Sequence, residues 1–312
     1  MSAVAEIVIE RRAPIPTWFG IGGGADRLAR PENVEQLRRC VQIDPETRVL
    51  GDGANLLVDD AGIGELVVVL NARAFTEVRW GEAGPGGGGG GSGNVHAGAG
   101  ANLPKLINES VRRGLGGLEG LGGIPASVGG AVRMNAGGAF GQIADAVARV
   151  HGIDRAGAEV VLDRDEIDFS YRHSGLEGLI ITGVELELRE EDPAVLRARL
   201  KDVMEYKKKS QPMADRSAGC VFKNPTLHRD LEGVAPRGER VSAGMLIDKA
   251  GCKGMSTGGA SVSQRHGNFI VAEPGKATAR DVIGLMERVT GRVNEAFGVE
   301  LEPEVVIWRR GS

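Results

Sequence analysis

Two short segments in the second half of the chain carry side chains that could do chemistry. Residues 169–174 read Phe-Ser-Tyr-Arg-His-Ser and place the guanidinium of Arg172 beside an aromatic ring and hydroxyl groups. Arginine suits paired hydrogen bonds to a carboxylate, although an isolated arginine is more often a surface residue. In residues 217–225, Cys220 precedes an apolar run, where a cysteine is more often inert core than reactive. The surroundings of both residues must decide their roles.

Two glycine-rich segments could offer backbone amides to a phosphate. Residues 50–58 read Leu-Gly-Asp-Gly-Ala-Asn-Leu-Leu-Val, and residues 120–138 carry glycines at 122, 123, 129 and 130 with Pro125 between them. Glycine permits unusual dihedral angles and close approach, so both segments are candidates for backbone wrapped around a ligand. A tight turn and a packed crossover are the structural alternatives. The first segment lacks the G-x-G-x-x-G entry into a helix, which disfavours a Rossmann dehydrogenase.

Length and composition limit the class of protein. The 312 residues are 41% hydrophobic and 26% charged with a formal net charge of -4, which is enough chain for two or three lobes. No apolar run reaches membrane-spanning length, and no basic concentration indicates nucleic-acid binding. Residues 1–14 lack the order of a secretory signal, and Cys40, Cys220 and Cys252 have neither disulfide-framework nor metal-ligand spacing. We expect a cytoplasmic protein without membrane insertion, a nucleic-acid partner or a metal site.

Periodicity and capping residues predict an alternation of helices and strands. Helices are predicted at 31–40 (opened by Pro31), 102–113, 192–209, 241–250 and from Thr278 to about Phe297, and strands near 47–51, 66–70, 75–80, 94–97, 220–223, 260–272 and 304–308. The last strand could return to an earlier sheet. Residues 84–93 are almost pure glycine and predict a flexible hairpin insertion.

In this order the segments closely resemble the UDP-N-acetylenolpyruvoylglucosamine reductases, the MurB family. The resemblance runs from Thr17 to the end of the chain. Its motifs are LGxGxNLLV at 50–58, GIPxSVGGAxxMNAG at 123–137, YRxS at 171–174, SAGxVFKNP at 217–225, AGxLID at 243–248, KGxxxGGAxVS at 253–263 and LExEV at 301–305. The spacing between Arg172 and Cys220 is similar to that of the shorter type of the family, which lacks an inserted substrate loop.

The resemblance implies an α+β protein with a two-lobe FAD-binding fold of the vanillyl-alcohol-oxidase (PCMH) type and a C-terminal α/β substrate-binding lobe. The expected lobes are residues 1–70, to which the strand 301–312 could return, residues 71–207 and residues 208–300. The implied activity is the NADPH-dependent, FAD-mediated reduction of UDP-N-acetylglucosamine-enolpyruvate to UDP-N-acetylmuramate, a step in making peptidoglycan precursors. FAD is expected to be non-covalently bound and the protein to be a monomer.

The resemblance also assigns roles to individual residues. Arg172 would hold the substrate carboxylate, Cys220 would give a proton to C2 after hydride reaches C3, and Glu304 would help to polarise the developing anion. Tyr171, Lys223 and Asn224 are the expected substrate-binding residues. The expected cofactor contacts are Gly51, Asp52, Gly53, Ala54, Asn55, Leu56, Gly122, Ile124, Pro125, Ser127, Val128, Gly129, Gly130, Asn135, Ala136 and Ile180.

Some positions depart from the family pattern. Cys220 stands where much of the family has a serine, and a thiol preserves the donor role while predicting sensitivity to alkylation. Asp52 puts a carboxylate in a loop expected to meet pyrophosphate, and Ala126 replaces a frequent glycine. An FAD oxidase of the same cofactor fold and a catalytically silent nucleotide-sugar binder are the alternatives. Both are disfavoured because they leave the set Arg172, Cys220 and Glu304 unexplained.

Overall fold

The computed structural model describes residues 6–81 and 92–311, and it has the predicted mixture of helices and strands. The chain divides into two units, which are described separately. Unit 1 holds the described residues up to Ala13 together with Ala25–Asp52 and Glu65–Lys207. Unit 2 holds Pro14–Gly24, Gly53–Gly64 and the described chain from Lys208 onward. The predicted glycine-rich insertion lies outside the described residues except for its last two positions, 92 and 93.

The regular elements are numbered in chain order. The helices are α1 (Val34–Ile43), α2 (Arg73–Thr76), α3 (Leu103–Arg112), α4 (Val128–Arg133), α5 (Pro193–Ser210), α6 (Ala243–Lys249) and α7 (Ala279–Phe297). The strands are β1 (Ile9–Ala13), β2 (Ala25–Ala29), β3 (Arg48–Leu50), β4 (Leu56–Val58), β5 (Ile63–Val69), β6 (Val78–Trp80), β7 (Ser92–Gly98), β8 (Leu115–Gly116), β9 (Gly137–Gly138), β10 (Gly141–Gln142), β11 (Val147–Ile153), β12 (Glu159–Asp163), β13 (Ile180–Glu190), β14 (Ser256–Thr257), β15 (Ala260–Val262), β16 (Ile270–Ala272) and β17 (Val306–Trp308). Among the described residues, none of these helices combines the length and apolar composition that a membrane crossing requires.

Unit 1 is built on two sheets that share one hydrophobic core. The larger sheet has the order β12-β11-β13-β7-β6, and β8 also pairs with β13. Along the long central strand β13, Val184, Leu186 and Leu188 face the core, while the alternate residues face the other way. The smaller sheet has the order β1-β2-β5-β3, in which β3 and β5 run parallel.

Helices that carry both an apolar stripe and a cap lie close to their predicted positions. In α3, Leu103, Leu106, Ile107 and Val111 are buried on one face, and Asn102 accepts a hydrogen bond from the first turn. Helix α1 begins at Val34 instead of Pro31, because the Asn33 side chain accepts from the Gln36 amide at 3.0 Å.

The predicted strand at 75–80 is only partly correct. Its first residues belong to the short helix α2, and the strand β6 begins at Val78. Phe75 is 1% exposed in that helix. Its ring is therefore buried from a helical turn and not from a pleated strand.

Unit 2 packs α6, α7 and the small sheet β14-β15-β16 around a second core. The last strand, β17, pairs in parallel with β4, with Val306 opposite Leu56 and Trp308 opposite Val58. The final strand thus pairs with an early segment of the chain within unit 2, and its assignment to a first FAD-binding lobe stays a prediction. The predicted strand at 220–223 is not regular, because it makes isolated bridges from Cys220 to Phe269 and from Phe222 to Pro303.

The backbone amides at the N-terminus of α7 have hydrogen-bond acceptors both at the helix end itself and in a distant loop. Thr278 Oγ1 accepts from the Asp281 amide at 3.1 Å, and the Asp281 carboxylate accepts from the Thr278 amide at 3.0 Å. Asp60 accepts from the amides of Ala279 at 2.8 Å and Arg280 at 3.0 Å. The hydrogen bond from the Thr278 backbone lowers the pKa of Asp281 below its usual value. A distant loop thereby closes a helix end that would otherwise keep unpaired donors.

Replacing Asp60 should measurably loosen unit 2. We expect Asp60→Ala to lower the free energy of unfolding by about 1–2 kcal/mol, as for loss of a strong helix cap. The matched control is Asp202→Ala, which removes an exposed carboxylate within α5 and the same charge without uncapping a helix. Denaturant unfolding followed by tryptophan fluorescence measures both variants. Equal stability of the two would contradict the capping role.

Candidate active site

A two-residue turn in unit 1 carries Tyr171 and Arg172. At its ends Ser170 and His173 exchange two backbone hydrogen bonds of 3.1 Å. Arg172 has a φ of 55°, in the left-handed region that non-glycine residues rarely adopt and that is often found at functional sites. Arg172 Nη2 donates to the Gly137 carbonyl at 2.9 Å, and the guanidinium carbon lies 5.2 Å from the centroid of the Tyr171 ring. The direction of this half-buried guanidinium is thus set by its turn and its partners.

Asn135 anchors the same turn from within unit 1. Its side chain is buried and its φ is 42°. Asn135 Nδ2 donates to the Ser170 carbonyl at 2.8 Å and to Gln142 Oε1 at 3.1 Å, and Oδ1 accepts from the Ala144 amide at 3.3 Å. Two segments that the sequence assigns to different ligands, MNAG and YRxS, are therefore joined by a buried amide.

The two glycine-rich segments meet in unit 1 at Gly51 and Ser127. A Cβ built on Gly51 would lie 2.7 Å from Ser127 Oγ, and one built on Gly130 would lie 3.1 Å from the same oxygen. Gly51 and Gly130 are exposed. The result is an accessible surface of backbone on which a side chain at either glycine would crowd the Ser127 hydroxyl, and such a surface fits the close approach of a bulky cofactor such as FAD.

The amides at the start of α4 already have partners within the chain. The Val128 amide donates to the Ala101 carbonyl at 2.9 Å, and the Gly129 amide donates to the Ala99 carbonyl at 2.8 Å. The Gly130 amide donates to Ser127 Oγ at 3.3 Å. These amides hold α4 against the end of β7, so they serve the packing of unit 1. Cofactor contacts by Val128 and Gly129 stay a prediction.

The loop 51–56 passes from unit 1 to unit 2 after Asp52. The Asp52 side chain is exposed, as a carboxylate in a loop for an anion would require, and partial desolvation raises its pKa. Gly53 has a φ of 64°, and a Cβ there would collide with the Pro16 carbonyl oxygen. Gly53 therefore fits for two reasons, a left-handed dihedral and contact with the 14–24 segment of unit 2. Ala54 is half-buried and Leu56 is buried in the same unit.

Cys220 and Glu304 lie on neighbouring segments of unit 2. The Glu304 amide donates to the Val221 carbonyl at 2.8 Å, and the Val221 amide donates to the Asn268 carbonyl at 2.9 Å. Both Cys220 and Glu304 are half-buried, and the Cys220 thiol is not in a disulfide. Through Val221, the structure thus joins the segments of two residues that are 84 positions apart in the chain and that were predicted to act on one substrate.

The side chain of Asn268 makes the backbone hydrogen bonds that a neighbouring strand would otherwise make beside Cys220. Its side chain is 2% exposed; Oδ1 accepts from the Phe222 amide at 2.9 Å, and Nδ2 donates to the Phe222 carbonyl at 2.8 Å. A side chain in this way satisfies both backbone groups of one residue, as a neighbouring strand would do. This explains why residues 220–223 are extended yet form no regular strand.

Asn55, a predicted cofactor contact, has hydrogen-bond partners within the chain. Its Nδ2 donates to the Glu304 carbonyl at 3.0 Å, and its own carbonyl accepts from the Val306 amide at 3.1 Å. The loop 53–56 therefore continues the pairing of β4 with β17 up to Glu304. Contact of Asn55 with FAD stays a prediction.

The predicted substrate residues of unit 2 also have partners. Lys223 Nζ forms an ion pair with Glu302 Oε1 at 2.5 Å, and Asn224 Oδ1 accepts from the Ala243 amide at 3.0 Å at the start of α6. Both residues are half-buried. Asn224 links the segment of Cys220 to α6, and Lys223 links it to the segment of Glu304.

The remaining predicted cofactor contacts are all in unit 1. Ile124 and Pro125 are half-buried before α4, and Ala136 is half-buried after Asn135. Gly122 and Ile180 are buried, the latter opposite Ile153 in the larger sheet. Their contacts with a cofactor stay predictions.

Two supporting residues were missed from the sequence. Asn268 lies between the motifs at 253–263 and 301–305, and Ser174 stands at the edge of the motif at 171–174. Ser174 is fully buried, and its Oγ donates to the Arg133 carbonyl at 2.8 Å. Ser174 thus provides a second tie between α4 and the turn of Arg172. An asparagine or serine within an apolar segment is the signal that could have indicated such ties.

Comparison with known proteins defines the class first. Residues 25–163 match the model of a family described as an FAD binding domain. The mixed α+β architecture is that of the FAD-binding proteins of vanillyl-alcohol-oxidase (PCMH) type with an added C-terminal lobe, as expected.

Residues 211–308 match the model described as UDP-N-acetylenolpyruvoylglucosamine reductase, C-terminal domain. A reductase of that name from Desulfosudis oleivorans is 40% identical over 303 residues, which are 93% of this chain and 91% of that protein. One from Thermus thermophilus is 42% identical over 290 residues, 93% of this chain and 95% of that protein. The crystal structure of the Thermus caldophilus reductase aligns with a TM-score of 0.78 and 40% identity, covering 97% of this chain and 100% of that one. This chain therefore belongs to the UDP-N-acetylenolpyruvoylglucosamine reductase (MurB) family of FAD-dependent oxidoreductases.

The buried amide of Asn135 gives a direct test of the site's framework. We expect Asn135→Asp to lower the free energy of unfolding by about 1–3 kcal/mol, because a buried amide that donates two hydrogen bonds is replaced by a carboxyl group that cannot donate both. Asn108→Asp is the matched control, since Asn108 Nδ2 donates to the Pro104 carbonyl at 2.8 Å at an exposed position. Thermal unfolding compares the two. A loss no larger for Asn135→Asp than for the control would show that the buried amide is not needed.

Proposed function

We propose that the protein reduces UDP-N-acetylglucosamine-enolpyruvate to UDP-N-acetylmuramate, with FAD as cofactor and NADPH as reductant, in the synthesis of peptidoglycan precursors. The observation that carries this proposal is the fixed placement of the Cys220 and Glu304 segments around the Val221 carbonyl. It is supported by family membership over nearly the whole chain. NADPH and a monomeric state are adopted from the family resemblance. The free thiols of Cys40, Cys220 and Cys252 are consistent with a cytoplasmic location.

The reaction adds a hydride to C3 and a proton to C2 of the enolpyruvyl double bond. FAD, when bound, supplies the means of carrying the hydride from NADPH to the substrate. The protein has to hold the substrate carboxylate, stabilise negative charge that spreads from C2 onto that carboxylate, and deliver a proton to C2. The following roles divide these tasks among three residues.

Arg172 is proposed to hold the substrate carboxylate. Its guanidinium is permanently charged and offers several N–H donors in a planar fork. One donor goes to the Gly137 carbonyl, which fixes the orientation of the group. The left-handed turn adds to that fixation. A positioned cation stabilises charge that develops during the reaction without having to reorganise first.

Cys220 is proposed to donate the proton to C2. A thiol has an ordinary pKa of about 8.5, so at neutral pH it is mostly protonated while still being a far better acid than a serine hydroxyl. The S–H bond breaks as the C2–H bond forms, and the thiolate regains its proton from solvent. The half-buried position of Cys220 fits a group that must meet both substrate and solvent.

Glu304 is proposed to act beside Cys220 on the same anion. Its backbone is held at both ends, by the Val221 carbonyl at its amide and by Asn55 Nδ2 at its carbonyl. In a closed site its carboxyl would work as a neutral acid that donates a hydrogen bond to the developing charge. Main-chain anchoring fixes the position on the segment from which the Glu304 side chain extends.

The thiol gives the experiment that tests the function. Purified yellow protein is reduced with NADPH without oxygen, and the flavin absorbance is followed after UDP-N-acetylglucosamine-enolpyruvate is added. We expect Cys220→Ala to slow reoxidation by about 10²–10⁴-fold, the usual contribution of a general acid, while reduction by NADPH is unchanged. Cys220→Ser should recover much of the loss. A colourless protein, or a reduced flavin that does not respond to this substrate, would reject the proposed function.

Alkylation offers a complementary readout on the same thiol. Cys40 and Cys252 are 0% exposed, and burial raises the pKa of Cys40 to about 11 and also raises the pKa of Cys252. Both therefore stay as unreactive thiols at neutral pH. Iodoacetamide should modify one residue per chain, Cys220, and abolish reoxidation in step with that modification. Loss of activity without labelling of Cys220, or equal sensitivity of Cys220→Ser, would contradict its role.

Asn55 separates a positioning role from a cofactor-binding role. We expect Asn55→Ala to slow reoxidation by the substrate by about 5–10-fold, which corresponds to loss of one hydrogen bond of about 1 kcal/mol. Flavin affinity should change less than twofold. Asn94→Ala, at an exposed position of β7, is the matched control. If Asn55→Ala instead releases FAD while the loaded enzyme reoxidises normally, Asn55 is a cofactor ligand and does not position Glu304.

A further inference from the structure

His96, His151 and Glu185 meet on one face of the larger sheet in unit 1. They come from the adjacent strands β7, β11 and β13, and they lie on the face opposite the hydrophobic core. His151 Nε2 and Glu185 Oε1 are 2.7 Å apart, and the two imidazole rings have centroids 5.6 Å apart at an angle of 65°. The potential ligand atoms of all three residues lie within 4.8 Å of one another. Nothing in the proposed reaction uses this cluster.

We propose that these three residues form a binding site for a divalent transition metal ion, with zinc as the probe of choice. Two imidazole nitrogens and one carboxylate oxygen are a ligand set that zinc uses with an open fourth position. Ligands at about 2.0–2.1 Å from a tetrahedral metal are about 3.3–3.5 Å apart. The His151–Glu185 pair is already closer than this, so only modest side-chain rotation is needed to enclose an ion.

The backbone register holds the three residues in place. Glu185 is directly opposite His96 across the β13–β7 pairing, and His151 is opposite Gly183 across the β11–β13 pairing. A Cβ on Gly183 would lie 3.1 Å from His96 Cε1 and 3.2 Å from His96 Nε2. The absence of a side chain at Gly183 therefore leaves the space into which the His96 ring projects. Three hydrogen-bonded strands make a rigid base for such a site.

Partial burial favours direct coordination over full hydration of the ion. The side chains of His151 and Glu185 are 30% and 37% exposed, and His96 is also half-buried. An ion could reach the cluster from solvent and would keep one position for water.

The charged neighbours define how Glu185 can bind. Arg149 Nη1 lies 3.3 Å from Glu185 Oε2, and Arg149 Nε lies 2.6 Å from Asp163 Oδ1. Arg79 faces His96 from the adjacent strand β6. Because Arg149 holds Oε2, Glu185 would bind the metal through Oε1 alone, and the guanidinium would orient the carboxylate from its other side.

Zinc binding to the flavin-loaded protein tests this proposal. The protein is prepared without an affinity tag and treated with chelator, and zinc binding is measured by equilibrium dialysis with elemental analysis. We expect one zinc ion per chain with micromolar or tighter affinity. His96→Asn and His151→Asn should each weaken binding by about 10–100-fold or more, at least the loss seen when only a supporting residue is removed.

The controls separate this cluster from other donors. His173→Asn removes a histidine of unit 1 that also lies near carboxylates, those of Asp168 and Glu177, and it should bind zinc like the original protein. Glu185→Gln preserves the shape of the cluster while removing the negative charge of Glu185. If this variant binds zinc weakly while its flavin content and melting temperature are unchanged, the proposal is supported. This test holds even if a histidine variant folds poorly. Zinc binding that survives in the His96, His151 and Glu185 variants belongs to other groups and overturns the proposal. So does the absence of binding below about 100 μM, since an assembled site of this ligand set should be far tighter.

Discussion

Irregular backbone in a protein interior must find hydrogen-bond partners, because an unpaired N–H or C=O away from water costs about as much as a lost hydrogen bond. In each unit a buried asparagine meets this constraint where no regular strand does. Asn135 holds the turn of Arg172 in unit 1, and Asn268 holds Phe222 next to Cys220 in unit 2. Both candidate reactive residues therefore stand on segments whose shape depends on a side-chain amide.

This arrangement explains why the segments can be both irregular and well placed. A regular strand would send successive side chains to alternate faces, and it would leave little freedom over where a single thiol or guanidinium points. An asparagine can supply one donor and one acceptor locally and leave the rest of the backbone free to turn. Asn135 and Arg172 have positive φ values, and the side-chain hydrogen bonds of Asn135 stabilise the turn in which Arg172 lies.

Much of the fold could be predicted from the sequence, and the reason differs from one element to another. Helices α3 and α7 combine an apolar stripe with a capping residue, so their positions follow from local pattern. The segment 220–223 has the composition of a strand, but its pairing depends on Asn268, 46 residues away from Phe222. Motif order identifies the family and its candidate residues. Motif order does not reveal that Asn55 is hydrogen-bonded to Glu304, or Asn224 to the start of α6. No spacing in the sequence connects His96 with His151 and Glu185, because only the pairing of strands in a sheet brings these three residues together.

The parallel pairing of β17 with β4 joins Leu56–Val58 to Val306–Trp308, and Asn55 is hydrogen-bonded to a residue 249 positions later. Contacts of such sequence separation have a high entropic cost of loop closure and slow folding. During synthesis on the ribosome, the early segments of unit 2, residues 14–24 and 53–64, lack their C-terminal partners while nearly the whole of unit 1 is made. Unit 1 can acquire its core from a nearly continuous stretch of chain, whereas unit 2 cannot complete its own until residues 306–308 have emerged. The order of translation therefore predicts that the flavin-binding portion forms first and that the segment bearing the thiol is the last to reach its native environment.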